Sequence, residues 1–168
     1  MKYKVLWIED GAFVEVATFA GAVLTSMKYD LEVSIDISDA LGKIRTTEYD
    51  AVIVDIRIPP GNNMEWKKIY NQSGYNKNSA RLGMQLLFSL LKPEEAEVKL
   101  ENIPSWVSAK KFGVFTVESR AEVKNDMVEL GIYLYLQKKT NMNRNDLLEF
   151  IEKIIGPSAA NSNKGGDE

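Results

Sequence analysis

The sequence predicts an α/β fold in which helices cover a parallel β-sheet. Short apolar runs rich in β-forming residues alternate with segments whose apolar residues recur at three-to-four spacing. Over about the first sixty residues this alternation reads strand, helix, strand, helix, strand. A chain of 168 residues is long enough for one domain with a core that needs neither disulfides nor a structural metal.

The first three strands are predicted over residues 3–8, 31–35 and 51–54. The first (YKVLWI) and the third (AVIV) are continuous apolar runs, as is typical of strands that are buried on both faces of a parallel sheet. The second alternates apolar and polar residues. Acidic residues directly follow the first and third runs.

Two amphipathic helices are predicted between these strands. The apolar positions of the first are Phe13, Val16, Ala17, Ala20, Val23, Leu24 and Met27. The second is expected to be capped by Ser38 or Asp39. Its apolar positions are Ala40, Leu41 and Ile44.

Residues 62–80 are predicted to form a long functional or mobile loop with one helical turn around residues 66–70. The segment NNMEWKKIYNQSGYNKNSA is rich in Asn, Ser, Gly and Tyr. We interpret Trp66, Tyr70 and Tyr75 as a small core of the segment itself, with a partner-binding patch as the alternative. Its lysines are interpreted as a solvated face, and these are Lys67, Lys68 and Lys77.

Beyond this loop the alternating pattern returns. In chain order we predict a helix from Leu82 to Pro93, a strand over 112–117, a helix over 118–130 that Gly131 ends, a strand over 132–136 and a helix from Asn143 to Ile155. Residues 93–111 form a second long connection. Residues 156–168 have too little apolar surface to offset the entropy of ordering, so the predicted domain is 1–155 and the predicted disordered tail is 156–168.

Composition limits the chemistry that is available to the chain. The sequence contains no histidine and no cysteine, which excludes a Ser-His-Asp triad, a catalytic cysteine, a zinc site with thiolate or imidazole ligands, and a phosphohistidine. The net charge of -3 argues against nonspecific binding of nucleic acid. No window has the roughly 18 apolar residues of a membrane span, and the first ten residues lack the apolar region of a signal peptide. We therefore expect a cytoplasmic protein without a nucleic-acid or membrane partner.

Polar residues follow the predicted strands at one edge of the sheet. Glu9 and Asp10 follow the first strand, and Asp55 follows the third. If the strand order is 2-1-3-4-5, these carboxylates converge where ligands bind in doubly wound sheets, and each like-charge pair at ~4 Å costs about 4 kcal/mol. A divalent cation that prefers oxygen ligands, Mg²⁺ above all, relieves this repulsion. Thr116 and Lys138 end the fourth and fifth strands, and the whole set predicts a phosphoryl-transfer site.

The chain resembles the receiver domains of two-component response regulators, which have a flavodoxin-like fold. The resemblance rests on KVLWIED (4–10), YDAVIVDIRIPPG (49–61), GVFTVES (113–119) and GIYLYLQKK (131–139). It implies a doubly wound, five-stranded parallel sheet of order 2-1-3-4-5 with helices on both faces. It also implies a regulatory phosphoacceptor that is not an enzyme, beyond catalysing its own phosphorylation and dephosphorylation.

The resemblance implies the acceptor and the metal ligands. Asp55 matches the aspartate that takes a phosphoryl group from the phosphohistidine of a sensor histidine kinase or a phosphotransfer protein. Asp10, Asp55 and the backbone carbonyl of Arg57 match the direct Mg²⁺ ligands. Glu9 matches the second acid, which often holds the metal through water.

The resemblance also implies roles for three residues of the fourth and fifth strands. Lys138 matches the lysine that pairs with the phosphoryl oxygens, Thr116 the hydroxyl that turns inward to bond them, and Tyr135 the aromatic switch that follows this hydroxyl. Two positions differ from the family. Val117 stands where receivers have a small residue, and Lys139 stands where they have a proline behind a cis bond, so we expect a trans bond here.

We expect a stand-alone receiver that signals to a downstream protein through the family's fourth helix, fifth strand and fifth helix, with homodimerisation and a longer parent regulator left open. One alternative is a phosphorylation-independent receiver-like binding module that acts through residues 62–80. That segment makes the connection about twenty residues longer than in a typical receiver. A second alternative is a Mg²⁺-dependent phosphatase with an aspartyl-phosphate intermediate. Arg57 disfavours it because such enzymes require an acid two residues after the nucleophile.

Overall fold

The computed structural model of the protein describes residues 1–156, except for the side chains of residues 12–16. Its strands are β1 (Tyr3–Ile8), β2 (Tyr29–Ser34), β3 (Ala51–Val54), β4 (Phe112–Thr116) and β5 (Leu134–Gln137). All neighbouring strands are parallel, and the order is β2-β1-β3-β4-β5. The predicted doubly wound sheet of order 2-1-3-4-5 is therefore confirmed.

Helices cover both faces of the sheet. They are α1 (Ala12–Thr25), α2 (Ile37–Thr46), α3 (Met64–Gln72), α4 (Lys77–Ala80), α5 (Leu82–Leu91), α6 (Arg120–Leu130) and α7 (Asp146–Ile155), with a short 3₁₀ helix at Ala109–Lys111. None of the helices in the described part of the chain has the length and apolarity needed to cross a membrane.

The core consists of two apolar clusters, one on each face of the sheet. Alternate residues of β1 belong to the two clusters, because successive side chains of a strand point to opposite faces of the sheet. Leu6 and Ile8 pack with residues of α2, α5 and α6, whereas Val5 and Trp7 pack with residues of α1 and α7. This two-sided burial explains why β1, β3 and β4 have the nearly continuous apolar sequences that predicted a parallel sheet.

The prediction of a loop over residues 62–80 is wrong, because α3 and α4 occupy most of this segment. The Asn63 side chain caps α3 by accepting hydrogen bonds from the backbone amides of Glu65 (2.9 Å) and Trp66 (3.4 Å). Trp66 is fully buried in the cluster that contains α2 and α5, rather than in a separate small core. We call residues 62–80 the inserted segment below.

Several boundaries differ from the predicted ones for local reasons. Asp36, not Ser38 or Asp39, caps α2, and its side chain accepts from the Asp39 amide at 2.8 Å. The helix α7 begins at Asp146 rather than at Asn143, because residues 143–145 form a turn in which the Asn143 amide donates to the Asp146 carboxylate. The strands β2 and β5 are each shifted by two residues at their starts relative to the predictions.

The helix α1 ends at Thr25, and three residues predicted on its buried face, Ala17, Leu24 and Met27, are exposed. Phe13 and Val16 lie outside the described side chains, and residues 157–168 of the predicted tail lie outside the described residues. Gly131 ends α6 in the left-handed conformation, as predicted. The connection over 93–111 contains no helix or strand other than the 3₁₀ turn at its end.

Candidate functional site

The three predicted acids lie together at the carboxyl ends of β1 and β3. These strands are direct neighbours, with Ile8 paired to Val54, so the residues that follow them meet at one edge of the sheet. Glu9, Asp10 and Asp55 each place a carboxylate oxygen within 4.8 Å of the other two. Glu9 and Asp55 are buried, whereas Asp10 is partly exposed. We refer to these three residues as the acid cluster.

Lys138 provides a buried positive charge beside two of these acids. Its ammonium donates to Asp55 Oδ2 at 2.8 Å and also contacts Glu9 Oε2. The Lys138 backbone amide donates to the Thr116 carbonyl at 2.8 Å, which fixes the lysine where β5 ends beside β4. Burial alone would lower the pKa of Lys138, but the charges of Asp55 and Glu9 and their hydrogen bonds raise it above its usual value. Lys138 is therefore a permanent cation at this site.

Glu9 is the acid whose proton affinity changes most. The pKa of Glu9 is raised from 4.5 to about 7; burial is the largest cause, Lys138 opposes it, and the Asp55 charge adds to the increase. A backbone hydrogen bond from Gly11 (2.9 Å) holds its carboxylate in place. At neutral pH this carboxyl group is therefore partly protonated, and an additional positive charge nearby would favour its ionised form.

In metal-free buffer, Glu9 is expected to make the protein less stable as the pH rises from 4.5 to about 7. A carboxyl group with a raised pKa binds more protons in the folded state, so its stabilising contribution is full below the lower value and is lost as the pH passes the upper one. At about 1.4 kcal/mol per pKa unit, the loss is about 3 kcal/mol at most. Urea unfolding in EDTA should show this slope in the wild-type protein and not in Glu9→Gln. Identical pH profiles for the two proteins would contradict the prediction.

The remaining predicted residues lie on β4, on β5 and just after β3. Thr116 is fully buried at the end of β4. The Tyr135 hydroxyl donates to the carbonyl of Glu118 at 2.5 Å, so it contacts the loop that follows Thr116. The Arg57 amide lies 3.3 Å from Asp55 Oδ1. The role of the Arg57 carbonyl as a metal ligand stays a prediction.

Residues 117 and 139 are the two positions at which the sequence departs from the receiver pattern. Val117 is 45% exposed and points away from the core. No cis peptide bond occurs in the described residues, so the bond before Lys139 is trans, as predicted.

The structure adds a site residue that the sequence analysis missed. Lys77, at the start of α4, places its ammonium 2.7 Å from Asp10 Oδ2. Its 46% exposed side chain agrees with the predicted solvated face, but its ion pair with Asp10 was not predicted. Its partner lies 67 residues away in the sequence, so no local pattern could reveal the contact.

A second charged group adjoins the acid cluster. Glu118 is 3% exposed and lies between two guanidinium groups, at 2.9 Å from Arg81 and 3.4 Å from Arg57. Arg81 also contacts Asp126 on α6 at 3.3 Å. Arg81 joins α4 to α5 in a left-handed conformation with φ of 47°. Arg81, which directly follows the inserted segment, thus connects its end by an ion pair to the loop between β4 and α6.

Gly83 lets α5 approach the backbone of Asp55. Its amide donates to the Ile56 carbonyl at 3.0 Å, and a Cβ atom at this position would lie only 1.9 Å from the Asp55 carbonyl oxygen. The sequence pattern predicted the helix but not this close approach.

The arrangement suits a hard divalent cation and a phosphoryl group. Three carboxylates supply oxygen ligands of the kind that Mg²⁺ prefers, and their repulsion is relieved when a dication joins them. Lys138 adds a fixed positive charge for phosphoryl oxygens, and Thr116 adds a hydroxyl at the neighbouring strand end.

No protein-family model matches the chain, and no curated protein matches it significantly. Solved structures do match it. The receiver domain of HemR from Leptospira biflexa is 21% identical over 92% of this chain and 94% of its own, with a TM-score of 0.57.

Two further structures show the same likeness. The receiver domain of the sensor histidine kinase PA1611 from Pseudomonas aeruginosa, described with a magnesium ion in its active-site cleft, is 17% identical over 92% of this chain and 98% of its own (TM-score 0.51). A response regulator from Burkholderia pseudomallei, described with a phosphorylated aspartic acid and a calcium ion, is 16% identical over 95% of this chain and 69% of its own (TM-score 0.56). The chain therefore has the flavodoxin-like fold of response-regulator receiver domains.

Proposed function

We propose that the protein is a receiver that accepts a phosphoryl group on Asp55 with Mg²⁺ bound at the acid cluster. The observation that carries this proposal is the convergence of Asp55 with two further acids and with the Lys138 ammonium at one edge of the sheet. The structural relatives add support, since one is described with magnesium in its cleft and another with a phosphorylated aspartate.

In this proposal the metal is held by Asp10, Asp55 and the backbone carbonyl of Arg57, with Glu9 as the second acid. When bound, Mg²⁺ neutralises the charge that develops on the transferring phosphoryl oxygens. An oxygen of the Asp55 carboxylate forms a bond to phosphorus while the bond from phosphorus to the donor nitrogen breaks. Lys138 orients Asp55 beforehand and then pairs with a phosphoryl oxygen.

The phosphoryl donor must be another molecule because the chain contains no histidine. We propose a sensor histidine kinase or a phosphotransfer protein in this role, within a cytoplasmic phosphorelay. Thr116 bonds the new phosphoryl group, and Tyr135 follows its movement as the switch residue. The signal then passes to a downstream protein partner.

The direct test is phosphorylation by a small phosphodonor. We expect incubation with acetyl phosphate and Mg²⁺ to add one phosphoryl group to the wild-type protein, measured by intact-protein mass spectrometry, and to add none to Asp55→Asn. Asp30→Asn is the matched control, because Asp30 is an exposed acid at the amino-terminal side of the sheet. Modification of Asp55→Asn to the wild-type extent would refute Asp55 as the acceptor.

Measurements of Mg²⁺ binding and of phosphate-ester turnover on the same proteins separate the two alternatives. A phosphorylation-independent binding module predicts neither modification nor Mg²⁺ binding. A phosphatase predicts continuous turnover of small phosphate esters that depends on Asp55. One observation favours the first alternative. The Lys77–Asp10 ion pair gives one acid of the cluster a positive partner from within the chain.

A further inference from the structure

The inserted segment reaches the acid cluster through a single long side chain. Lys77 Nζ lies 2.7 Å from Asp10 Oδ2, a distance typical of a charge-assisted hydrogen bond. The lysine side chain is 46% exposed and that of Asp10 is 19% exposed, so the pair lies at the mouth of the site rather than in the core. The contact is open to solvent and to an entering ion.

The two lysines divide the three acids between them. Lys138 contacts Glu9 and Asp55, and Lys77 contacts Asp10. Three carboxylates and two ammonium groups leave the cluster with one net negative charge when all are ionised. Without Lys77 the same groups would carry two, which is the charge that a dication balances.

Mg²⁺ and the Lys77 ammonium therefore compete for the same carboxylate. A dication bound by Asp10 would repel an ammonium held on that carboxylate twice as strongly as a monovalent ion at the same distance would. Lys77 can leave without disturbing the core, because residues 74–79 are all exposed and Ala80 is the first buried residue after them. Arg81 meanwhile holds the end of α4 through Glu118 and Asp126.

We propose that Lys77 is an intramolecular competitor of Mg²⁺ for Asp10. Its ammonium balances the acid cluster in the metal-free protein, and Mg²⁺ binding releases it together with the start of α4. The inserted segment thus sets the metal affinity of the site and changes its contacts when the metal binds. This inference rests on the proposed function, because it takes the acid cluster as the Mg²⁺ site.

Isothermal titration calorimetry of Mg²⁺ binding provides the first test. We expect Lys77→Gln to bind Mg²⁺ about fivefold more tightly than the wild-type protein, the factor that corresponds to a partly exposed ion pair. Lys68→Gln is the matched control, because it removes the same charge from an exposed position on α3 of the same segment. We expect its affinity to equal that of the wild-type protein.

The release of Lys77 has a separate readout that involves no variant. An ammonium group held by a carboxylate reacts slowly with an acylating reagent, since it must first lose its proton. Trace labelling of the wild-type protein with acetic anhydride, followed by peptide mass spectrometry, should show that Mg²⁺ increases acetylation of Lys77 relative to Lys68.

The outcomes distinguish this inference from the proposed function. Equal Mg²⁺ affinities of the wild-type protein and Lys77→Gln, with acetylation of Lys77 unchanged by Mg²⁺, would overturn the inference and leave the metal site intact. Equal tightening in Lys77→Gln and Lys68→Gln would also overturn it, because the effect would then be one of net charge. Failure of every variant to bind Mg²⁺ would overturn both the inference and the proposed metal site.

Discussion

Replacing Lys138 with methionine is expected to lower the free energy of unfolding by about 3–5 kcal/mol at neutral pH in the absence of Mg²⁺. The Lys138 ammonium contacts the carboxylates of Glu9 and Asp55, whose side chains are only 1% and 5% exposed. Removal of the ammonium group leaves two buried carboxylates beside each other without the positive charge of Lys138. Methionine keeps a flexible apolar stem of similar length close to Phe115, so the loss reports mainly on the charge.

Urea unfolding in EDTA measures this loss, and Lys139→Met is the matched control because the neighbouring lysine is exposed. We expect the control to change stability by less than about 0.5 kcal/mol. The loss in Lys138→Met should be smaller at pH 5 than at pH 8, because burial and the Asp55 charge raise the pKa of Glu9 and protonation removes the repulsion. Added Mg²⁺ should restore part of the stability. A loss below about 1 kcal/mol at pH 8 would show that Lys138 does not neutralise the buried acids.

Replacing Gly83 with alanine is expected to cost about 3 kcal/mol or more and to disturb the acceptor directly. The added Cβ atom would lie 1.9 Å from the Asp55 carbonyl oxygen and 2.8 Å from the Cα atom of Ile56. These are backbone atoms of the segment that carries the acceptor, so α5 or this segment must move. We expect lower stability in urea and a lower rate of phosphorylation by acetyl phosphate.

Gly42→Ala is the control for the Gly83 variant. Gly42 lies within α2, and a Cβ atom there would meet nothing within 4 Å. Because glycine is a poor helix former, alanine at this position should stabilise the protein by up to about 1 kcal/mol. Equal stabilities of the two variants would contradict the close approach of α5 to Asp55.

The parallel sheet could be predicted because β1, β3 and β4 are buried on both faces and therefore have continuous apolar sequences, whereas its strand order came from the resemblance to receiver domains. The helices of the inserted segment could not be predicted in the same way. Their sequence is mostly polar, and one buried side chain, Trp66, attaches α3 to the core. Ile69 and Tyr70 add only partly buried contacts, and a local sequence pattern predicts poorly a helix that depends on a few tertiary contacts and on capping by Asn63.

The acid cluster and Lys138 could be predicted because each residue directly follows an apolar strand, and parallel strands end at one edge of the sheet. The contacts of Lys77 and Arg81 could not. Their partners lie 67 and 37 residues away, and neither lysine nor arginine in a polar segment differs from an ordinary surface residue until the fold is known. The need for glycine at position 83 could not be predicted for the same reason, since it comes from the close approach of the Asp55 backbone.

Glu118 connects two parts of the molecule through different atoms. Its carboxylate accepts hydrogen bonds from Arg81, which directly follows the inserted segment, while its backbone carbonyl accepts one from Tyr135 on β5. A displacement of this residue therefore acts on both attachments. The end of the inserted segment and Tyr135 are thus attached to the same residue, Glu118. The rigidity of the loop after Thr116 therefore depends on an element that lies outside the sheet and its covering helices.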